Sequence, residues 1–71
     1  MKKVYVLLAE GFELIEALTP VDVLRRCGAD VKTVSISEDS FVTSAQKVTV
    51  KSDLVLKESN LHDGDMLILP G

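Results

Sequence analysis

Cysteine occurs once in this sequence, as Cys27, and histidine once, as His62. A single cysteine excludes an internal disulfide. One histidine with no Cys/His cluster excludes a zinc site of the usual ligand spacing. An excess of basic charge is also lacking. The net charge is −3, so the footprint expected of a nucleic-acid binder is missing. No apolar run approaches the ~18 residues of a membrane span. Lys2-Lys3 precede an apolar stretch from Val4 to Ala9, but the stretch is short. Glu10 and Glu13 follow it in place of a small-residue cleavage site, which argues against a secretory leader. One unpaired cysteine without an export signal favours a reducing, cytoplasmic setting. No G-x-G-x-x-G is present, so Gly11 does not belong to a dinucleotide fingerprint.

What remains is an ordinary globular composition, 46% apolar and 27% charged over 71 residues. At this length a chain buries only about 60% of its unfolded surface, so its stability is expected to be marginal. Val4 to Ala9 is a continuous apolar run with β-branched and aromatic residues. Such runs fit a strand buried on both faces of a parallel sheet. Leu14, Leu18, Val21, Leu24 and Cys27 then recur at helical spacing and make one apolar stripe. Gly28 is placed to follow the helix end, with Arg25 and Arg26 complementing the dipole in the last turn. Thr19-Pro20 offers an alternative helix start. The stripe passes through Pro20 without changing phase, so we favour one helix from about Glu13 to Cys27, locally distorted where Pro20 cannot bond back to Glu16.

Val31 to Ile36 reads as a second strand, completing a βαβ unit. Phe41–Thr43 and Val48–Val50 read as a hairpin around Ser44–Lys47, with Asp53 to Leu56 extending its second arm. Ser59 to Gly64 reads as a loop, and Met66 to Leu69 as another buried parallel strand before Pro70-Gly71. Three apolar strands need covering on both faces, and one helix covers one. The other face would expose an apolar patch of a kind stable monomers avoid. Pro70-Gly71 also falls where an α/β domain turns into its ligand-binding loop. We therefore expect residues 1–71 to be the N-terminal half of one larger domain.

Strand Val4–Ala9, Gly11-Phe12-Glu13-Leu14-Ile15-Glu16, the run Pro20-Val21-Asp22-Val23-Leu24-Arg25-Arg26-Cys27-Gly28 and the closing Met66–Leu69 with Pro70-Gly71 together resemble the ThiJ/PfpI family. The resemblance covers the whole chain. It implies an α/β, flavodoxin-like (class I glutamine amidotransferase-like) parallel-sheet sandwich of roughly twice this length. It also implies a cysteine on a sharp strand-to-helix turn, a glutamate from the first helix beside it, and a histidine later in the chain. Glu16 matches that glutamate, and Gly71 the first glycine of the family's separate strand-Pro-Gly-Gly turn, whose second glycine serves as an oxyanion donor. The second glycine, the nucleophile and the histidine have no match here. Cys27 and His62 sit at other positions and are not substitutes for them.

From the residues alone, Glu16 reads as a solvated helical glutamate. Its apolar neighbours Ile15 and Ala17 argue for partial desolvation, which favours a protonated carboxyl able to donate to a thiolate. Glu13 reads as a first-turn acid complementing the dipole, with a supporting role near the site as the alternative. Gly11 reads as a turn glycine with positive φ. Cys27 reads as a small buried apolar residue, His62 as a surface loop residue, and Asp53 as a turn or strand-edge residue. The resemblance implies a cofactor-free enzyme of glyoxalase or deglycase type acting on reactive aldehydes. It implies as partners a complementary C-terminal fragment and a second copy in a homodimer, with neither nucleic acid nor membrane. Two alternatives stand beside it: a redox-sensing or chaperone-like stress protein of the same fold, and a non-catalytic flavodoxin-like binding module.

Overall fold

The computed structural model describes residues 2–71. The chain folds as β1 (Lys3–Leu8), α1 (Leu14–Arg26), β2 (Asp30–Ser35), β3 (Phe41–Thr43), β4 (Thr49–Lys51), β5 (Leu54–Val55) and β6 (Met66–Ile68). A 3-10 turn, Leu56–Glu58, follows β5. The main sheet has the order β5-β2-β1-β6, and every pairing in it is parallel. β3 and β4 pair antiparallel as a separate hairpin.

Alternation along the strands divides the core between two faces. Val4, Val6, Leu8 and Val31 turn towards α1 and pack with Phe12, Ala17, Val21 and Val42 of the hairpin. Val6 and Leu8 are fully excluded from solvent, which contributes about 1.5–3 kcal/mol for each side chain. Tyr5 and Val34 alternate onto the second face and are also buried. Leu56, Leu61 and Leu67 leave an open groove of about 520 Å³ over part of that face.

α1 runs unbroken through Pro20, as the phase of its stripe predicts, and Thr19 is not a cap. The helix ends at Cys27, whose backbone N–H reaches the carbonyls of Val23 and Leu24. Gly28 follows with φ 90°, and Gly11 has φ 83°. Both lie in the left-handed region where a Cβ is costly.

Three expectations need correction. Leu54–Val55 does not extend the hairpin but crosses to pair with Val34 and Ser35 of β2. The cause lies just before it: Ser52 Oγ donates to the carbonyls of Ser40 and Leu54, and Asp53 bonds Thr33, so the chain is drawn out of the hairpin. β6 is parallel, as expected, but not buried. It is an edge strand, and Met66 and Leu67 remain 53% and 54% exposed because among the described residues no strand lies beyond it. Cys27 is exposed, not buried, because the helix ends there and the stripe no longer faces the sheet.

Candidate active site

Parallel strands place the loops that follow them at one edge of the sheet, and here β1 and β6 both deliver their ends to the start of α1. The loop after β1 is fixed first. Gly11 N–H donates to the carbonyl of Thr43 at 2.8 Å, and Phe12 N–H to that of Ala9 at 3.0 Å. Phe12 anchors the loop in the core. Glu10 Oε1 accepts from Thr43 N–H at 3.2 Å, which ties the same loop to the hairpin.

Glu13 then caps the helix. Its Oε1 accepts from Ile15 N–H at 2.9 Å and from Glu16 N–H at 3.4 Å. Glutamate is not among the favoured capping residues, and here it receives help from the hairpin. Gln46 Nε2 donates to Glu13 Oε2 at 2.6 Å, and Gln46 Oε1 accepts from Leu14 N–H at 3.1 Å. With Ala17 N–H bonded to the Glu13 carbonyl at 3.0 Å, the first N–H groups of α1 are all paired, which helix starts otherwise leave to water.

Glu16 lies three residues after this cap. Its Oε1 accepts from Gly71 N–H at 3.1 Å. In return Glu13 N–H donates to the Gly71 carbonyl at 2.7 Å. The turn after β6 is therefore held on both its N–H and its carbonyl by the first turn of α1. A methyl group at Gly71 would sit 3.1 Å from Glu16 Oε1, so a side chain there would push against the carboxylate. Among the described residues Glu16 Oε2 has no hydrogen-bond partner and is left for another group. The expected desolvation of Glu16 does not occur within this chain. Glu16 is exposed, and its neighbour Ile15 is 67% exposed, because both lie off the buried face of α1.

The structure thus brings Glu16, Glu13, Gly11 and Gly71 to one edge. Cys27 is not among them, lying at the other end of α1, roughly 16 Å away along the helix axis. His62 is in the exposed loop before β6, at the opposite end of the sheet. Local pattern does not reveal Gln46, since it meets Glu13 from 33 residues away. Among the described residues, no three His, Cys, Asp or Glu side chains are grouped to hold a metal.

The perturbed ionisable groups lie elsewhere. Near the amino end of β1, Asp63 Oδ1 accepts from Tyr5 Oη at 2.6 Å and Oδ2 from Lys3 Nζ at 2.7 Å. The Lys3 bond, then the Tyr5 bond, hold the Asp63 carboxyl below its ordinary value, while bonding to Asp63 pushes Lys3 and Tyr5 above theirs. Burial works against ionisation of Asp53, but the Thr33 N–H and hydroxyl, aided by Arg25, outweigh it and hold that carboxyl below the usual range.

The DJ-1/PfpI family profile matches residues 2–71. Similar curated proteins include Protein DJ-1 homolog B of Arabidopsis thaliana, 32% identical over 69 residues, which make up 97% of this chain and 16% of that protein. The Parkinson disease protein 7 homolog of Danio rerio is 32% identical over 71 residues, with 99% of this chain and 38% of that protein covered. Among solved structures, a mutant of a DJ-1 superfamily protein from Salmonella typhimurium superposes with a TM-score of 0.95 at 42% identity. It covers 100% of this chain and 38% of its own. Oxidised DJ-1 from Toxoplasma gondii superposes with a TM-score of 0.94 at 34% identity, covering 100% of this chain and 39% of its own. The parallel sheet and helix are part of the flavodoxin-like fold of these proteins, and the chain spans well under half the length of each.

Proposed function

Because this chain belongs to the DJ-1/PfpI family, we propose that it supplies the acidic side of a cysteine-dependent site acting on small reactive aldehydes, as a glyoxalase or deglycase of methylglyoxal type. The observation that carries this reading is the pairing of Gly71 N–H with Glu16 Oε1 at 3.1 Å. It seats a helical carboxyl against the Pro70-Gly71 turn, whose next glycine the resemblance makes an oxyanion donor, with Oε2 free to meet the reacting groups. Glu13 and Gly11 act in support, by holding the first turn of α1 and the loop before it.

In this reading a thiolate from beyond Gly71 attacks the aldehyde carbon. The carbon–sulfur bond forms as the carbonyl π electrons move to oxygen, and the Glu16 carboxyl, desolvated only once the C-terminal portion covers it, gives that oxygen its proton, leaving a neutral hemithioacetal and a carboxylate. Residues 1–71 form the N-terminal portion of the domain. Its C-terminal portion continues the sheet beyond the exposed β6 edge and covers Met66, Leu67 and Leu69, which are 53%, 54% and 73% exposed. A homodimer of the completed domain, in the cytoplasm, belongs to the same reading.

The test compares methylglyoxal consumption by the 71-residue chain and by the completed domain, wild type and Glu16→Leu. The chain alone is expected to be inactive. The completed domain is expected to lose about 10²-fold or more in Glu16→Leu, the usual contribution of a positioned general acid. Activity in the purified 71-residue chain, or an unimpaired Glu16→Leu domain, refutes the reading. A second reading, redox sensing by the same cysteine, is favoured by the oxidised state of the Toxoplasma gondii relative. It predicts that Glu16→Leu alters the rate of thiol oxidation by peroxide while aldehyde consumption is absent in the wild type.

A further inference from the structure

We propose that Gln46, at the tip of the β3–β4 hairpin, is a positioning residue for Glu16; the inference rests on the reading of Glu16 as the carboxyl of a cysteine-dependent site.

The tip is built to present this one side chain. Ser44 N–H donates to the Val48 carbonyl at 2.9 Å, and Lys47 N–H to the Ser44 carbonyl at 3.0 Å. Val48 N–H donates to Ser44 Oγ at 3.2 Å, from a serine that is only 2% exposed. Ala45 N–H donates to the Phe12 carbonyl at 2.9 Å, which pins the tip to the loop leading into α1. Lys47 takes φ 66°, a left-handed conformation that disfavours residues with a Cβ. A turn needing positive φ without glycine is held by its surroundings, and these bonds are the surroundings.

Both ends of the Gln46 amide are used, and on different partners. Oε1 takes the Leu14 N–H, which the Glu13 side chain does not bond. Nε2 holds Glu13 Oε2, which leaves Oε1 turned towards Ile15 and Glu16. Gln46 therefore completes the cap and sets the rotamer of the residue that makes it. Glu16 is downstream of this on two counts: its N–H is bonded by Glu13, and its carboxylate meets the Gly71 peptide that Glu13 N–H also holds. Without Gln46, Glu13 is free to turn to solvent, and the first turn of α1, Glu16 included, loses its fixed relation to Gly71. Gln46 is itself exposed, so its removal leaves the core untouched.

The experiment follows the pH midpoint of alkylation of the site thiol in the intact domain that continues beyond Gly71. The variants are Gln46→Met, Gln46→Asn, Glu16→Leu and Lys47→Gly. Gln46→Met keeps length and charge but neither hydrogen bond. Gln46→Asn keeps the amide one methylene short of its partners, and it serves equally should the methionine variant fold poorly. Other charged groups at this edge, Glu10, Glu13 and Lys47, are unchanged in both. Both Gln46 variants are expected to move the midpoint in the same direction as Glu16→Leu, by about 0.3–1 unit, two- to tenfold in the thiolate-to-thiol ratio. The Lys47→Gly control, which relaxes the tip and removes its charge without touching Glu13, is expected to move it by less than either Gln46 variant. A midpoint that moves in Glu16→Leu but not in either Gln46 variant overturns the inference and leaves the reading of Glu16 standing. A midpoint unmoved in all of them overturns both. A shift in Lys47→Gly equal to that in Gln46→Met assigns the effect to the conformation or charge of the tip, not to the Gln46–Glu13 bond, and overturns the inference as well.

Discussion

Replacing Asp53 by alanine tests the account of why the chain leaves the hairpin and joins the main sheet. Asp53 Oδ2 accepts from Thr33 N–H at 2.9 Å, from Thr33 Oγ1 at 3.1 Å and from Arg25 Nη2 at 2.9 Å. Asp53 N–H donates back to Thr33 Oγ1 at 2.9 Å. β5 pairs with β2 only at Val34 and Ser35, so at Thr33 the carboxylate stands in for a strand. Thr33 is 8% exposed, and an orphaned donor there costs about 1–3 kcal/mol. The Arg25 pair is half-exposed and adds at most about 1 kcal/mol. Arg25 also keeps its bonds to the Val31 carbonyl. The sum for Asp53→Ala is about 1–4 kcal/mol, or roughly 2–16 °C in the melting temperature of a domain of 150–250 residues. Asp53→Asn retains one oxygen for Thr33 and loses only the charge, so about 1 kcal/mol is expected. The native carboxyl titrates below its ordinary value. Its contribution is therefore complete above the unfolded carboxylate value and is lost as pH falls through the depressed one. Denaturant titrations at pH about 7 and about 3 should then show wild type and Asp53→Asn separated at the first and converging at the second. A cost for Asp53→Ala below about 0.5 kcal/mol, within the range of an ordinary surface change, would refute the strand-substitute argument. So would a wild type–asparagine gap that ignores pH.

Two further outcomes are expected near the amino end of the sheet. A Cβ at Gly64 would lie 2.7 Å and 2.8 Å from Tyr5 Cδ2 and Cε2, and that ring is buried. Gly64→Ala should cost about 1–3 kcal/mol as an overpacked site, measured by denaturant midpoint, and a silent substitution would show that the Leu61–Asp65 loop is free to move off the ring. Tyr5, held protonated by Asp63, should titrate above the ordinary phenol value of about 10 and return towards it in Asp63→Asn, read from its ring resonances. The stabilisation of the phenol is present below its ordinary value and fades as pH rises through the raised one, while that of the depressed Asp63 carboxyl is lost in acid, so the native protein should lose its advantage over Asp63→Asn both in strong alkali and in strong acid.

What the sequence made readable, and what it did not, divides by the range of the interaction. β1, α1 and β2 carry their own periodicity, and Gly11 and Gly28 mark positive φ through purely local sterics. The unbroken helix through Pro20 was readable for the same reason, because the stripe keeps phase on either side. Leu54–Val55 reads as part of the hairpin because its residues suit any strand. Its destination is decided by Ser52 and Asp53 finding partners 12 and 20 residues away. Exposure of β6 and of Cys27 likewise depends on what lies beside them in space, which an apolar run does not specify. Glu16 and Gly71 could be linked beforehand only through the family pattern. They are 55 residues apart, and nothing local joins them.

The same division bears on how the candidate site is held. Beside the local bond from Glu16 N–H to Glu13, the contacts that seat Glu16 are directional hydrogen bonds between segments distant in sequence: Gly11 to Thr43, Ala45 to Phe12, Gln46 to Glu13, Glu13 to Gly71 and Gly71 to Glu16. Of these residues only Phe12 belongs to the buried core. Hydrogen bonds at exposed positions add little net stability each, about 0.5–1.5 kcal/mol, but they fix orientation where packing does not. Site geometry and fold stability therefore rest on different residues here. Substitutions at Gln46 or Glu13 should disturb the carboxyl more than they disturb melting, whereas those at Asp53 or Gly64 should do the reverse. An edge arranged in this way tolerates change in its chemistry without loss of the sheet beneath it, because the strands that deliver the loops are stabilised by Val6, Leu8 and Val34, none of which takes part in the site.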